Sequence, residues 1–280
     1  MSKHLLNRAA TGVALLTMLG AAALPAFSQG RGPKPPEGPA PKMPDGKPDF
    51  SGVWARPYTP DMARESREAK PGAGGYLFRD LPNMSKDQKG LTPLPFTELG
   101  LKLWNAYDAA NGDYTGSCMP FGLTRSVNSP DPLQIMQNSK YIAFLWEQNT
   151  WFHVAKIGAE HNKNATPSWF GDSVAKWDGD TLVVDTNNFN GRTRLDTIGH
   201  PHSAQLHVIE RYTRRDLGHI DYEITIDDPV IYTKPWKNVR VFTLRPDWEI
   251  MEYSCEENNK DFFEGHIKAT ADPNAGAPTK

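Results

Sequence analysis

The sequence predicts an all-β protein: an antiparallel, up-and-down barrel of about eight or nine strands, with one flanking helix ahead of most of them. Three observations carry this. From Gln134 to Cys255 the chain is a series of short alternating runs joined by tight turns. The clearest unit runs from Gly171 to Trp177, turns at Asp178-Gly-Asp180, and returns from Thr181 to Thr186, with an Asp-Gly pair of hairpin type at its centre. Hairpin-spaced neighbours in this number can close on themselves and enclose a pocket. A two-sheet sandwich is the alternative.

The elements follow in order. Residues 1–28 have the form of a signal peptide: Lys3, His4 and Arg8 make a basic start, Ala9 to Leu24 is apolar, and Ala26-Phe-Ser28 supplies the small residues a signal peptidase reads. The apolar run is about 16 residues, short of the ~20 a spanning helix needs. A membrane anchor is the other reading. The expectation is therefore an exported protein, periplasmic or secreted, with no stable membrane insertion. Residues 29–49 are rich in Pro, Gly and Lys and read as a disordered lead-in. A single barrel domain would span 50–265, followed by a flexible tail over 266–280.

Within that domain, Phe50 to Trp54 is the first strand candidate, its Gly-x-Trp placed to seal one end of a barrel. Residues 58–93 read as an irregular loop. Phe96 to Asn111 reads as a helix capped by Thr97, with Leu99, Leu103, Ala106, Tyr107 and Ala110 on one stripe and Gly112 as its stop. Strands follow at Leu133–Gln137, Tyr141–Glu147, Trp151–Ile157, the Gly171–Thr186 hairpin, Gln205–Arg214, His219–Ile226, Val239–Arg245 and Trp248–Cys255.

Composition excludes several classes. The 31 basic residues against 33 acidic give a net charge of −2; without Lys3 and Arg8 of the leader it is −4. Neither value, nor any basic cluster, fits a nucleic-acid partner. The two cysteines, Cys118 and Cys255, are most simply a disulfide in an exported chain, closing a loop of more than 130 residues; a nucleophilic or metal-binding thiol is the rival. There is no Gly-x-Ser-x-Gly, phosphate-binding glycine loop, dinucleotide fingerprint or Cys-x-x-Cys-His, so no cofactor is expected.

The chemistry-bearing candidates centre on Glu210. Leu206, Val208, Glu210 and Tyr212 share one strand face, so a carboxylate would sit in a largely apolar lumen, where burial raises its pKa and suits it to proton transfer. A structural pair with an inward Arg240 is the alternative. Gly199-His-Pro-His-Ser203 places His200 and His202 in the loop before that strand. The pair could be metal ligands, with Glu210 or Asp196 as a third, or His202 could act as acid or base, or both could shape a turn. Trp169 and Asp172 read as a ligand rim, with Asp172 as orienter or as a partner for loop amides, and Trp151 and Trp236 as further rim aromatics. Eight tryptophans is more than packing requires and fits a cavity for flat ligands. Arg125 would hold an anionic group or pair with a carboxylate. Asp178 and Asp180 are accounted for by their turn.

Several segments resemble a large family of exported bacterial proteins, most of them without assigned activity. They are Pro44-Asp-Gly-Lys-Pro-Asp-Phe-Ser-Gly-Val-Trp54, Cys118-Met-Pro-Phe-Gly122, Trp177-Asp-Gly-Asp-Thr-Leu-Val-Val-Asp-Thr186, His202-Ser203, Glu210-Arg-Tyr212, Thr225-Ile-Asp-Asp-Pro229 and Cys255-Glu-Glu-Asn-Asn259. The Trp-x-Gly-Asp-Thr-Leu segment is also similar to hairpins of lipocalin-type barrels. The resemblance implies export and relationship rather than a function. The chain departs from the family where an Arg-x-Ile, an Asp-Gly-Arg and a His-Pro are expected: here the stretch runs from Phe152-His-Val-Ala to Glu160-His161. Roles of those family residues do not carry over, and a changed pocket lining would take a different ligand.

The functional expectation is an exported small-molecule enzyme acting on an apolar or aromatic metabolite by cofactor-independent acid–base chemistry, of lyase, isomerase or hydrolase type. Glu210, His202 and Asp172 would be catalytic, and Trp169, Tyr212, Trp236, Arg125 and His200 would bind the ligand. The alternatives are a non-catalytic carrier, or a metal-dependent enzyme using His200 and His202.

Overall fold

The structure, a computed structural model, describes residues 33–57, 61–63, 94–107, 113–257 and 259. The predicted leader, most of the loop over 58–93, the residues around Gly112 and the tail lie outside the described residues. Nine strands form a closed barrel in sequence order, β1 pairing with both β2 and β9. They are β1 (Gly52–Ala55), β2 (Leu133–Gln137), β3 (Tyr141–Trp146), β4 (Phe152–Ile157), β5 (Asp172–Asp178), β6 (Thr181–Asn187), β7 (His207–Arg214), β8 (His219–Asp227) and β9 (Trp236–Leu244). Burial alternates along β7 and β8 as the sequence pattern requires, one face inward and the next outward.

Three features differ from the expectation. The barrel is mixed: β4 and β5 run parallel, Lys156 beside Val174 and Ile157 beside Ala175. Parallel neighbours cannot share a hairpin, so residues 158–171 carry the chain back along the wall before β5 begins. The segment Trp248–Cys255 is not a strand, and the last strand starts earlier, at Trp236. Once β9 pairs with β1 the barrel has no free edge, and the chain after Pro246 has nothing left to pair with. The first helix, α1 (Glu98–Asn105), is shorter than the stripe suggested, with Thr97 accepting from Gly100 N at 3.0 Å as its cap. A second short helix, α2 (Leu123–Asn128), precedes β2.

The lower end of the barrel, at the β5–β6 turn, is sealed. The guanidinium of Arg214 lies 4.4 Å over the Trp54 indole and donates to the carbonyls of Asp49, Asp216 and Leu217. The indole in turn donates to Phe50 O at 3.0 Å. Part of the expected lead-in lies against this end, Lys47 donating to Gly179 O. At the upper end sit α1, α2 and the segments 188–206 and 228–235. The Cys118–Cys255 disulfide ties the stretch before α2 to the stretch after β9, with Cα atoms 5.5 Å apart and a sequence separation of 137.

Candidate functional site

The lumen is built by the inward faces of the strands. Val184, Glu210, Ile224 and Asn238 lie at one level by register; Leu182, Tyr212, Tyr222 and Arg240 form the next level down. Aromatic side chains dominate the space between. Tyr212 contacts Phe144 at 5.2 Å and Tyr222 at 5.0 Å between ring centroids, and Tyr222 stacks on Phe242 at 4.8 Å.

Glu210 is fully buried in this setting. The hydroxyls of Tyr212 and Tyr222 both donate to its Oε1, at 2.7 and 2.8 Å, while Oε2 has no hydrogen-bond partner. Burial drives its pKa up, the two hydroxyls partly oppose that, and the result is about 7. The alternative, a structural pair with Arg240, is not what holds Glu210: the two tyrosines take its Oε1, and Arg240 donates to Met62 O at 3.2 Å.

Three further lumen groups escaped the sequence reading. His153 on β4 is buried and stacks on Phe144 at 4.7 Å; neither ring nitrogen has a partner, and burial lowers its pKa to about 3. Asn238 is buried with both side-chain amide atoms unpartnered. Arg56, just past β1, lies 4.6 Å over the Trp146 ring and gives its two terminal nitrogens to the carbonyls of Ser126 and Asp131. Buried polar atoms are almost always hydrogen-bonded in folded proteins. Their concentration here on the inner wall, without partners among the described residues, marks the lumen as the candidate site.

The other expected site residues are elsewhere. His202 is buried in the upper loop, its Nε2 2.6 Å from Thr193 Oγ1 and its Nδ1 2.9 Å from Ser203 O. Since a carbonyl only accepts, Nδ1 carries the proton and Nε2 receives the threonine hydroxyl; burial lowers the pKa, and the ring is neutral and spent. Asp172 belongs to a half-exposed cluster outside the wall. Its Oδ2 is 2.8 Å from His161 Nδ1, and Asp185 Oδ1 is 3.1 Å from His161 Nε2 and 2.8 Å from His207 Nε2. Asp172 therefore orients His161 and not a lumen histidine. Trp169 is half-buried under the Arg192 guanidinium. Arg125 makes a buried two-pronged pair with Asp113, at 2.9 and 2.6 Å, so its charge is already answered. Of the expected ligand contacts, Tyr212 faces the lumen, and Trp236 lies on the inner face near its top, set edge-on to Tyr232 at 5.6 Å.

His200 and His202 do not converge as a metal pair. His200 instead joins Asp61 and Asp196, and the three present ligand atoms within 4.8 Å of one another. His200 Nδ1 is 2.6 Å from Asp196 Oδ2, while Asp196 also accepts from the amides of Met62 and His200, and Asp61 from the amide of Ala63. Burial opposes charge on the ring, but Asp196 and Asp61 hold its pKa above the ordinary value. With the Arg240 charge also felt by both acids, the cluster reads as a buried ion network, in which His200 Nε2 is left without a hydrogen-bond partner among the described residues.

Two surface clefts accompany the barrel. One of about 300 Å³ runs over the outer wall of β7–β9, beside Arg211, Asp221 and Glu223; one of about 420 Å³ lies against the disulfide, between Trp151 and Tyr253. Neither is lined by Glu210, and the charged groups of the first are paired with neighbours. The unpartnered lumen atoms identify the candidate site better than these grooves do. The chain matches no family model, no curated protein and no solved structure.

Proposed function

We propose that the protein is an exported small-molecule enzyme that moves a proton on an apolar or aromatic metabolite inside the barrel, in a lyase, isomerase or hydrolase reaction. One observation carries this: Glu210 is buried, titrates at about 7, and keeps one oxygen unpartnered while two tyrosines hold the other. Two donors on Oε1 favour the carboxylate form, and Oε2 is then a base poised near neutrality in a dry site. His153, neutral and with both nitrogens unpartnered among the described residues, can orient the substrate by donating one hydrogen bond and accepting another, a part the sequence had offered to His202. The proton that Glu210 takes is then returned to the substrate or to the leaving group by the Glu210 carboxyl itself.

A non-catalytic carrier is the second reading. It is favoured by the fact that His202 and Asp172 are bonded away from Glu210. Glu210→Gln separates the two. For an enzyme, turnover of a substrate found by screening falls about 10²–10⁴-fold with ligand binding retained. In the wild type, kcat/KM rises with pH through about 7, as Glu210 loses its proton. Unchanged turnover in the variant removes Glu210 from the mechanism and leaves the carrier.

A further inference from the structure

The charge inside the lumen narrows the ligand class. Arg56 is buried, and no carboxylate among the described residues lies within ion-pair distance of it. Each terminal nitrogen gives one of its two hydrogens to a backbone carbonyl, and its Nε has no acceptor among the described residues. Burial, more than any neighbour, pulls its pKa down to about 9, so at neutral pH it remains a cation. Asp131 tempers that charge from a distance, and Tyr212, Tyr222 and Arg240 all lie close enough to feel it. Arg240, buried on the same inner wall, already has Asp196 and Asp61 near its charge. Taking a guanidinium out of water without a counter-ion costs several kcal/mol, and chains keep such groups where an anion arrives to meet them.

The neighbouring groups describe the rest of the molecule. Phe144, Trp146, Tyr212 and Tyr222 make the surroundings aromatic, their rings packed in contact with one another. Asn238 supplies one donor and one acceptor without partners, and neutral His153 supplies another of each.

We infer that the lumen takes a planar organic monoanion, an aromatic carboxylate or phenolate, whose charged oxygen is received by Arg56 while its ring lies among Phe144, Trp146 and Tyr212. This rests on the lumen being the ligand site, and it adds a specificity-determining residue, Arg56, to the proton-handling Glu210. The anion at Arg56 leaves the rest of the ring free to face Glu210 Oε2, so binding and proton transfer use different groups.

Calorimetry on the mature, disulfide-bonded chain with three probes of one size tests it: benzoate, benzyl alcohol and benzylamine. Benzoate is expected to bind at least about ten-fold more tightly than benzyl alcohol, with benzylamine weakest. Arg56→Gln is expected to erase the preference for benzoate while benzyl alcohol binds as before. Arg56→Lys, which keeps the charge, is expected to retain part of it. If Arg56→Gln does not fold, the wild-type ranking and Arg56→Lys still decide. Benzyl alcohol binding as tightly as benzoate overturns the anion inference and leaves the lumen as a ligand site. So does a benzoate preference that survives Arg56→Gln, since the anion then sits elsewhere. Absence of binding by all three at millimolar concentration overturns both readings.

Discussion

Glu210 links activity to stability. Its pKa is raised on folding from an ordinary 4.5 to about 7, so between those values the native state holds a proton that the unfolded chain has released. Stability from this group is therefore fully present below about 4.5 and is lost as pH rises through about 7, by about 3 kcal/mol in all. Glutamine cannot ionise and keeps the shape. Glu210→Gln is thus expected to be more stable than the wild type at pH 8, by up to about 3 kcal/mol, with no gain at pH 4; chemical denaturation at the two pH values measures it. A variant that loses turnover while gaining stability in this pH-dependent way is the pattern of a functional group held at a cost. Equal stability at both pH values would show that the carboxyl is not desolvated as described.

Single residues also show where the sequence was legible. Strict alternation along β7 put Glu210 and Tyr212 on one face with Leu206 and Val208, the face that turns inward. The same rule, applied to the expected strand Trp151–Ile157, puts His153 and Ala155 on one face, but alternation alone does not say that this face is the inner one. Asn238 was hidden because Pro235 and Lys237 read as loop, which moved the start of the last strand past it. Arg56 lies beyond the end of its strand, where no periodicity reaches. The partners of His202 and Asp172, namely Thr193 and His161, come from loop geometry that a linear sequence does not encode.

At the scale of elements, α1 is held by contact and not by propensity. A Cβ at Gly100 would stand 2.3 Å from Ile231 O, so the helix touches the backbone of the segment after β8. Thr97 fixes the same junction: its hydroxyl donates to Val230 O at 2.8 Å while it caps the helix. Alanine at this position should favour an isolated helix by about 1 kcal/mol. Here Gly100→Ala is expected to destabilise by about 1–3 kcal/mol, because overpacking outweighs that gain, and thermal unfolding gives the sign directly. The cap and the stripe were visible in the sequence; the close approach was not, since nothing in a helical pattern says what faces its glycine. The predicted final strand fails for a related reason. Trp248–Cys255 has an acceptable local pattern, but β1, nearly two hundred residues earlier, already occupies the edge that it would need.

For the whole molecule, the alternation and turns gave the barrel and most strand limits to within a residue or two. They could not give the crossing between β4 and β5, because parallel and antiparallel neighbours have the same local alternation. That crossing sets the strength of the wall. β7 and β8 are joined through eight register pairs, from His207–Asp227 to Arg214–Ile220, whereas β4 and β5 are joined through two, with one added bond from Gly158 N to Ala175 O. Amides along the β4–β5 seam are expected to exchange with deuterium well before those of β7 and β8, a difference readable peptide by peptide in mass spectrometry. In a vessel plugged at its foot by an arginine on an indole, the staves are least well laced between β4 and β5, and it is there, rather than at the plug, that the wall would part first.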